Sequence, residues 1–279
     1  MTRGAAELEE LADLAEEVAG EAGALLLRYY EDSAPSAGLT ATISSKTTRT
    51  DLVTEADRAS EQLIVERLRA NRPDDAILAE EGASRDGTSG LTWVVDPLDG
   101  TINFVYGFPA FCVSIACVAG GERLVGVVLD PVRHEVFRAR LGGGATRNGA
   151  PLRIEEGPPL SEALVATGFG YAAERRRSQA ELLETVLPEV RDIRRAGAAA
   201  LDLCWLASGR VNAYFEAGLA PWDLAGGALV VTEAGGVVEL LEGIVPGAAT
   251  VVAGPRRLEG ELAALLGRAR LEAGNRSAR

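Results

Sequence analysis

The sequence predicts a layered α/β protein, and three features carry that prediction. Between residues 5 and 30 the apolar side chains Leu8, Leu11, Ala15, Val18, Ala22 and Leu25 recur at helical spacing with acidic residues between them, the stripe of a helix that must lay one face on something larger. Residues 111–119 and 124–130 are nearly unbroken apolar runs on either side of Gly120, Gly121 and Glu122, which reads as two neighbouring buried strands joined by a tight turn. Beyond them, strand groups and helix groups alternate along the chain, as in sheets covered by helices.

The remaining elements follow in order. The stretch from Glu31 to Thr50, which contains Lys46, is rich in Ser, Thr, Gly and Ala without periodicity and is expected to form a loop or weak hairpin. A second helix is expected over about 55–71, with Ala59, Leu63, Ile64 and Leu68 on one face and Pro73 beyond its end. Short apolar runs at 76–79 and 92–95 suggest strands, and Glu135 to Ala139 extends the 111–130 pair into a meander. After the glycine-rich bend at 142–144 the pattern predicts a strand near 162–167, helices near 173–187 and 199–208, and a strand at 212–216. A helix opening on Pro221 and a last one over about 258–271 complete the set. No internal repeat or low-complexity linker interrupts the pattern, so residues 1–279 are expected to form one domain, an α+β half to about residue 150 and an α/β half over about 151–273, with a frayed tail from Gly274.

Composition narrows the function. A formal net charge of -13 opposes binding to phosphate backbones or anionic lipid, since no basic stripe exists to displace counterions. An acidic chain that handles phosphate needs bound cations to reverse the local field. Cys112, Cys117 and Cys204 show no metal-ligand or redox spacing and are expected to be buried free thiols in a reducing cytoplasm. No signal-peptide pattern opens the sequence and no apolar run approaches the roughly 20 residues that span a bilayer, so a soluble cytoplasmic location is expected.

The chemistry is concentrated in Trp93 to Thr101, WVVDPLDGT. An apolar strand runs into Asp96, Pro97 is expected to stop the ladder for want of an N–H, and Gly100 permits a sharp turn. The turn gathers Asp96 and Asp99 at one strand end, where a free carbonyl such as that of Leu98 can join two carboxylates on a hard cation such as Mg²⁺. If a helical turn starts here, the N–H groups of Gly100 and Thr101 point outward toward a phosphate. A second acidic element is Glu80 and Glu81 after the apolar run at 77–79, and a third is Asp223, placed by Pro221 in the first turn of a helix. Taken singly, each is an ordinary cap or solvated charge. Taken together, Glu80, Asp96, Asp99 and Asp223 would repel one another strongly in a partly buried site. Two divalent ions roughly 3.5–4 Å apart would neutralise them and supply what in-line displacement at a phosphate monoester needs.

The ordered set formed by Asp51 to Asp57 (DLVTEAD), Ala79 to Glu81, Trp93 to Phe104 (WVVDPLDGTINF), Pro221 to Gly226 (PWDLAG) and Glu233 to Gly236 resembles the motif set of the inositol monophosphatase family over nearly the whole chain. The resemblance implies a layered αβαβα sugar-phosphatase fold with mixed and antiparallel sheets, usually a homodimer, dependent on Mg²⁺ (two or three ions per site) and in many members inhibited by Li⁺. It implies a first metal on Glu80, Asp96 and the Leu98 carbonyl, and a second on Asp96, Asp99 and Asp223. Thr101, oriented by Asp57, would activate water together with Glu80. Substrate would meet Asp99, Gly100, Thr101, Ala199, Glu216 and Asp223, with Lys46 and Asp51 on a loop near the metals. Ala198 stands where family members often carry Ser or Thr.

The implied reaction is hydrolysis of an inositol monophosphate to inositol and phosphate. Histidinol phosphate, fructose 1,6-bisphosphate and 3′-phosphoadenosine 5′-phosphate are alternatives within the same chemistry, and the metal motif does not separate them. A rival from another class is a regulatory protein that uses the fold to bind transcription or ribosome-assembly machinery; the full set of carboxylates favours retained catalysis. Two other signals are decoys. Cys117 and Arg123 have the C-x5-R spacing of cysteine phosphatases, but the thiol falls in a buried apolar strand with nothing to lower its pKa. The single histidine, His134, falls in a turn without a nucleophile-base pattern.

Overall fold

The computed structural model describes residues 3–33 and 49–277, with side chains described over 3–32 and 55–273. Helices α1 (Ala5–Ser33) and α2 (Arg49–Asn71) lie side by side on one face of a seven-stranded sheet. Its strands run in chain order: β1 (Ala76–Ala79), β2 (Thr92–Asp99), β3 (Cys112–Ala119), β4 (Glu122–Asp130), β5 (Glu135–Arg140), β6 (Gly144–Arg147) and β7 (Ala150–Pro151). The β1–β2 pair is parallel and the rest form an antiparallel meander. A short helix α3 (Thr101–Tyr106) follows β2 directly.

The second half builds β8 (Leu164–Thr167), α4 (Ala173–Val186), β9 (Asp192–Arg194), α5 (Ala199–Ala207), β10 (Ala213–Ala217), α6 (Pro221–Glu233), β11 (Val237–Val245), β12 (Ala248–Gly254) and α7 (Arg256–Ser277). Its five-stranded sheet has the order β11-β12-β10-β8-β9 and mixes parallel and antiparallel pairs. Helices α5 and α6 lie between the two sheets, while α4 and α7 cover the outer face of the second. The layering is therefore αβαβα, as the sequence implied. Three apolar cores follow from it. Leu11, Val18, Leu26, Ile64 and Leu68 bury the first helix pair on Trp93, Ile115 and Val127. Leu201, Leu203 and Val230 fill the middle layer against Phe137, Tyr214 and Val251. Leu182, Leu262 and Leu265 close the outer face on Phe215 and Val252.

Several boundaries differ from the sequence-based expectation. α1 continues to Ser33 and α2 begins at Arg49, so both ends of the expected 31–50 loop are helical; Lys46 lies outside the described residues. β2 does not stop at Pro97 but runs to Asp99. Asp96 pairs with Ser114 and Asp99 with Cys112, with a register shift between, so Pro97 sits in a bulge that carries one extra residue and owes the ladder no N–H. The strands β9, β11 and β12 were not anticipated, because the Ala-rich run of β12 and the glutamates and Gly243 of β11 blur the β pattern.

The seat of α6 on the first sheet depends on two glycines. A methyl group added to Gly126 of β4 would lie 2.7 Å from the Gly226 carbonyl oxygen and 3.1 Å from its Cα, so helix and strand touch backbone to backbone. Gly126→Ala must lift α6, and overpacking of this kind costs about 1–3 kcal/mol. The expected result is a lower urea midpoint with an unchanged slope, measured by circular dichroism.

Candidate active site

The site forms where strand ends meet helix starts. In the parallel β1–β2 pair Ala79 is level with Val95, so Glu80, the next residue, emerges level with Asp96. Asp96 Oδ1 accepts the Leu98 N–H at 3.1 Å, which closes the bulge on itself, and Ser60 Oγ of α2 donates to the Pro97 carbonyl at 2.9 Å. Gly100 has φ 94°, and a methyl group there would meet the Ala110 carbonyl at 2.8 Å; glycine is required on both counts. It caps α3, so Thr101 opens a helical turn as expected, and its Oγ donates to the Leu98 carbonyl at 3.1 Å.

Two longer helices also begin here. The N-cap of α5 is Ala198, which offers no side-chain acceptor, and the Asp99 carboxylate takes over that role: its Oδ2 accepts the Ala200 N–H at 2.8 Å. The start of α5 thereby steadies a negative charge contributed by another strand. Asp223, at the third position of α6, accepts the N–H of Ala220 at 2.7 Å, half of a capping box. Behind the Glu80 turn, Glu61 of α2 is buried and accepts the Glu81 N–H at 2.8 Å and the Ala83 N–H at 3.3 Å. The motif comparison passed over Glu61, although it stands one helical turn after Asp57 and so on the same face.

Burial and mutual repulsion govern the charges. Burial first, and then Asp99, Glu80, Asp223 and Asp57, push the Asp96 carboxyl well above its ordinary range. Asp99 is raised to about 8 by burial and then by Asp223. Asp57 also rises to about 8, through burial and then Glu81, Glu80 and Glu61. Glu80 is raised by burial and Asp223, and Asp223 by burial. Asp96 opposes the rise of both Glu80 and Asp223 as a hydrogen-bonding neighbour, as a protonated carboxyl can beside an ionised one. Asp57 Oδ1 is buried with no hydrogen-bond partner.

Among the described residues no basic group contributes to the Asp96 shift, although buried carboxylates ordinarily demand a cation. Hard oxygen donors, an unpartnered buried oxygen and uncompensated negative charge suit Mg²⁺. The described residues contain no group of three His, Cys, Asp or Glu side chains already disposed as a metal cage.

The substrate-side residues lie at the same end. Ala199 is the first residue of α5 and is buried. Glu216, near the end of β10, accepts the Tyr214 hydroxyl at 2.8 Å, and burial raises it to about 7 against the opposing pull of Tyr214 and Arg195. A methyl group on Gly168 would lie 2.1 Å from Glu216 Oε1, so the carboxylate rests on bare backbone. Tyr171, after β8, is 79% exposed, and its hydroxyl pKa is raised by burial and then by the charges of Glu80, Asp99 and Asp223. Lys46 and the side chain of Asp51 fall outside the described residues. The decoys remain decoys: Cys117 is buried in β3 with its thiol pushed up to about 12 by burial, and Gly120 and Gly121 take the positive φ of a hairpin turn. All three cysteines are free and buried.

Comparison with known proteins identifies the family and the fold. A family model described as "Inositol monophosphatase family" matches residues 7–271. The chain is 43% identical over 265 residues to "Inositol-1-monophosphatase SuhB" of Mycobacterium tuberculosis, covering 90% of this chain and 91% of that protein. It is 47% identical over 194 residues to "Nus factor SuhB" of Pseudomonas aeruginosa, covering 67% and 72%. The solved structure of Mycobacterium tuberculosis SuhB superposes with a TM-score of 0.79 at 41% identity, covering 94% of this chain and 97% of the other.

Proposed function

The chain belongs to the inositol monophosphatase family, and we propose that it is a Mg²⁺-dependent phosphomonoesterase whose preferred substrate is an inositol monophosphate. The observation that carries this reading is the convergence of Glu80, Asp96, Asp99 and Asp223 from three elements, the end of β1, β2 and the start of α6, with no cationic side chain among the described residues contributing to the Asp96 shift. Glu80, Asp96 and the Leu98 carbonyl would hold one ion, and Asp96, Asp99 and Asp223 a second. Bound Mg²⁺ supplies charge neutralisation at the phosphoryl oxygens and makes water more acidic.

The protein groups do the rest. Gly100 and Thr101 present N–H groups where α3 begins and would bind the phosphate oxygens. Thr101 Oγ, which donates to the Leu98 carbonyl, keeps lone pairs to accept a hydrogen bond from the attacking water. Asp57, whose Oδ1 is buried and has no hydrogen-bond partner among the described residues, and Glu80 are the carboxylates that would take the water's proton. Glu216 and the backbone at Ala199 would accept and donate to hydroxyls of the leaving group, with Asp99 and Asp223 orienting it. A homodimer, Li⁺ inhibition and a cytoplasmic location belong to the same reading; no described helix is long and apolar enough to cross a membrane.

The test is phosphate release from myo-inositol 1-phosphate, histidinol phosphate, fructose 1,6-bisphosphate and 3′-phosphoadenosine 5′-phosphate, with Mg²⁺ and with EDTA. Inositol phosphate is expected to lead and EDTA to abolish turnover. A second reading, a regulatory role in transcription, is favoured by the likeness to the Pseudomonas aeruginosa protein named a Nus factor. Stoichiometric recovery of RNA polymerase on this protein, with negligible turnover of every ester, would put that reading first.

A further inference from the structure

Two adjacent arginines leave the end of β9, and the structure sends them in different directions. Arg194 turns back on its own strand, donating from Nη1 to Asp192 Oδ2 at 2.5 Å and to the Ile193 carbonyl at 2.9 Å. Arg195 folds forward over Gly197. A methyl group built on Gly197 would lie 2.3 Å from Arg195 Nη1 and 3.1 Å from its Cζ, so the guanidinium occupies the space above a residue whose φ of 91° already requires glycine. The segment beneath is pinned by Asn103, a buried side chain whose Nδ2 donates to the Ala196 carbonyl at 2.8 Å and the Ala110 carbonyl at 2.6 Å. Two residues beyond Gly197 begins α5, whose Ala200 N–H holds Asp99. The guanidinium is therefore carried to the edge of the carboxylate cluster on a fixed piece of backbone.

Arg195 is exposed, and among the described residues no carboxylate lies within ion-pair distance of it. Its charge nevertheless reaches Glu216 of β10, Asp202 of α5 and the Tyr171 hydroxyl. Glu216 in turn acts on Asp99, which places this group of residues beside the cluster. Among the described residues this cation has no ion-pair partner, and its charge acts on an acceptor, Glu216, whose own placement depends on the bare backbone of Gly168.

Building on the phosphomonoesterase reading, we propose that Arg195 is a specificity-determining residue that reads the leaving group, donating to oxygens of a neutral polyol while Glu216 accepts from a neighbouring hydroxyl, and excluding leaving groups that carry an ammonium. The guanidinium fork presents parallel N–H donors that fit two oxygens on adjacent carbons. An ionised carboxylate can only accept. Together they match a cyclitol, whose vicinal hydroxyls both donate and accept. The leaving group of histidinol phosphate carries an ammonium, which Glu216 and the surrounding carboxylates would welcome; the fixed charge of Arg195 opposes it. The choice between two esters that the metal motif leaves equal thus rests on one side chain.

The experiment is steady-state phosphate release with Mg²⁺ by the parent, Arg195→Ala and Arg195→Lys, on myo-inositol 1-phosphate and histidinol phosphate, with melting temperatures to confirm folding. For Arg195→Ala, kcat/KM on inositol phosphate is expected to fall about tenfold, mainly through KM, while kcat/KM on histidinol phosphate rises. Arg195→Lys keeps the charge and loses the fork, so it is expected to lose activity on inositol phosphate but still to reject histidinol phosphate. If the parent is active and Arg195→Ala shifts both esters alike, or neither, the assignment is overturned. A parent that hydrolyses neither ester sinks the phosphomonoesterase reading and this proposal with it.

Discussion

Asp96→Asn is expected to lower phosphate release by about three orders of magnitude while raising the melting temperature of the metal-free protein at pH 8. The loss follows from the position of Asp96, whose charge is coupled to Glu80 and Asp223 and which is shared by both proposed metal positions. Several kcal/mol of charge stabilisation disappear with it, and each 1.4 kcal/mol or so is a factor of ten in rate. The gain follows from its burial: at 1% exposure, with four neighbouring carboxylates raising it further, Asp96 must hold a proton in the folded metal-free state that it would release on unfolding. Asn needs none. Its Oδ1 keeps the bond from the Leu98 N–H, and its amide can donate to a neighbouring carboxylate. The two proteins should melt alike near pH 4 and diverge as pH rises. Activity within tenfold of the parent would remove Asp96 from the metal set, and a lower melting temperature at pH 8 would refute the electrostatic account.

Much of this site could be read from residue order because local chemistry fixes it. A strand, a bulge at Pro97, a glycine that must take positive φ at Gly100 and a helix start at Thr101 are all dictated within nine residues. Pro221 places Asp223 in the first turn of α6 in the same way. What order alone hid were contacts between distant segments. Asp99 caps α5 across about a hundred positions because Ala198 has no side-chain acceptor to do it. Glu233 accepts the N–H groups of Gly142 and Gly144 at 2.9 and 2.8 Å, so a glutamate that looked like part of a motif also ties α6 to the β5–β6 turn. The divergence of Arg194 and Arg195 follows from a partner at Asp192 and an open glycine at Gly197, neither of which announces itself in the sequence. Half of the second sheet is illegible in the sequence for a different reason: β11 carries glutamates and β12 alanines, and pairing with their neighbours makes them strands.

The same electrostatics predict how the metal-free protein responds to pH. Asp57 and Asp99 are both raised to about 8 in the folded state, against about 4 in an unfolded chain. Between those values the folded state holds more protons than the unfolded one, so stability falls as pH rises, and the loss is complete above about 8. With EDTA present, the melting temperature is therefore expected to be higher at pH 5 than at pH 8. General repulsion in a chain of net charge -13 acts in the same direction but is screened by salt, so the slope that survives in ~0.5 M KCl belongs to the buried cluster. Mg²⁺ must compete with those protons. Its stabilising shift should be larger at pH 8 than at pH 5, and calorimetric titrations in two buffers of different ionisation enthalpy should differ by the protons released. Equal shifts at both pH values, with heats indifferent to the buffer, would mean that the ion binds somewhere other than the protonated cluster.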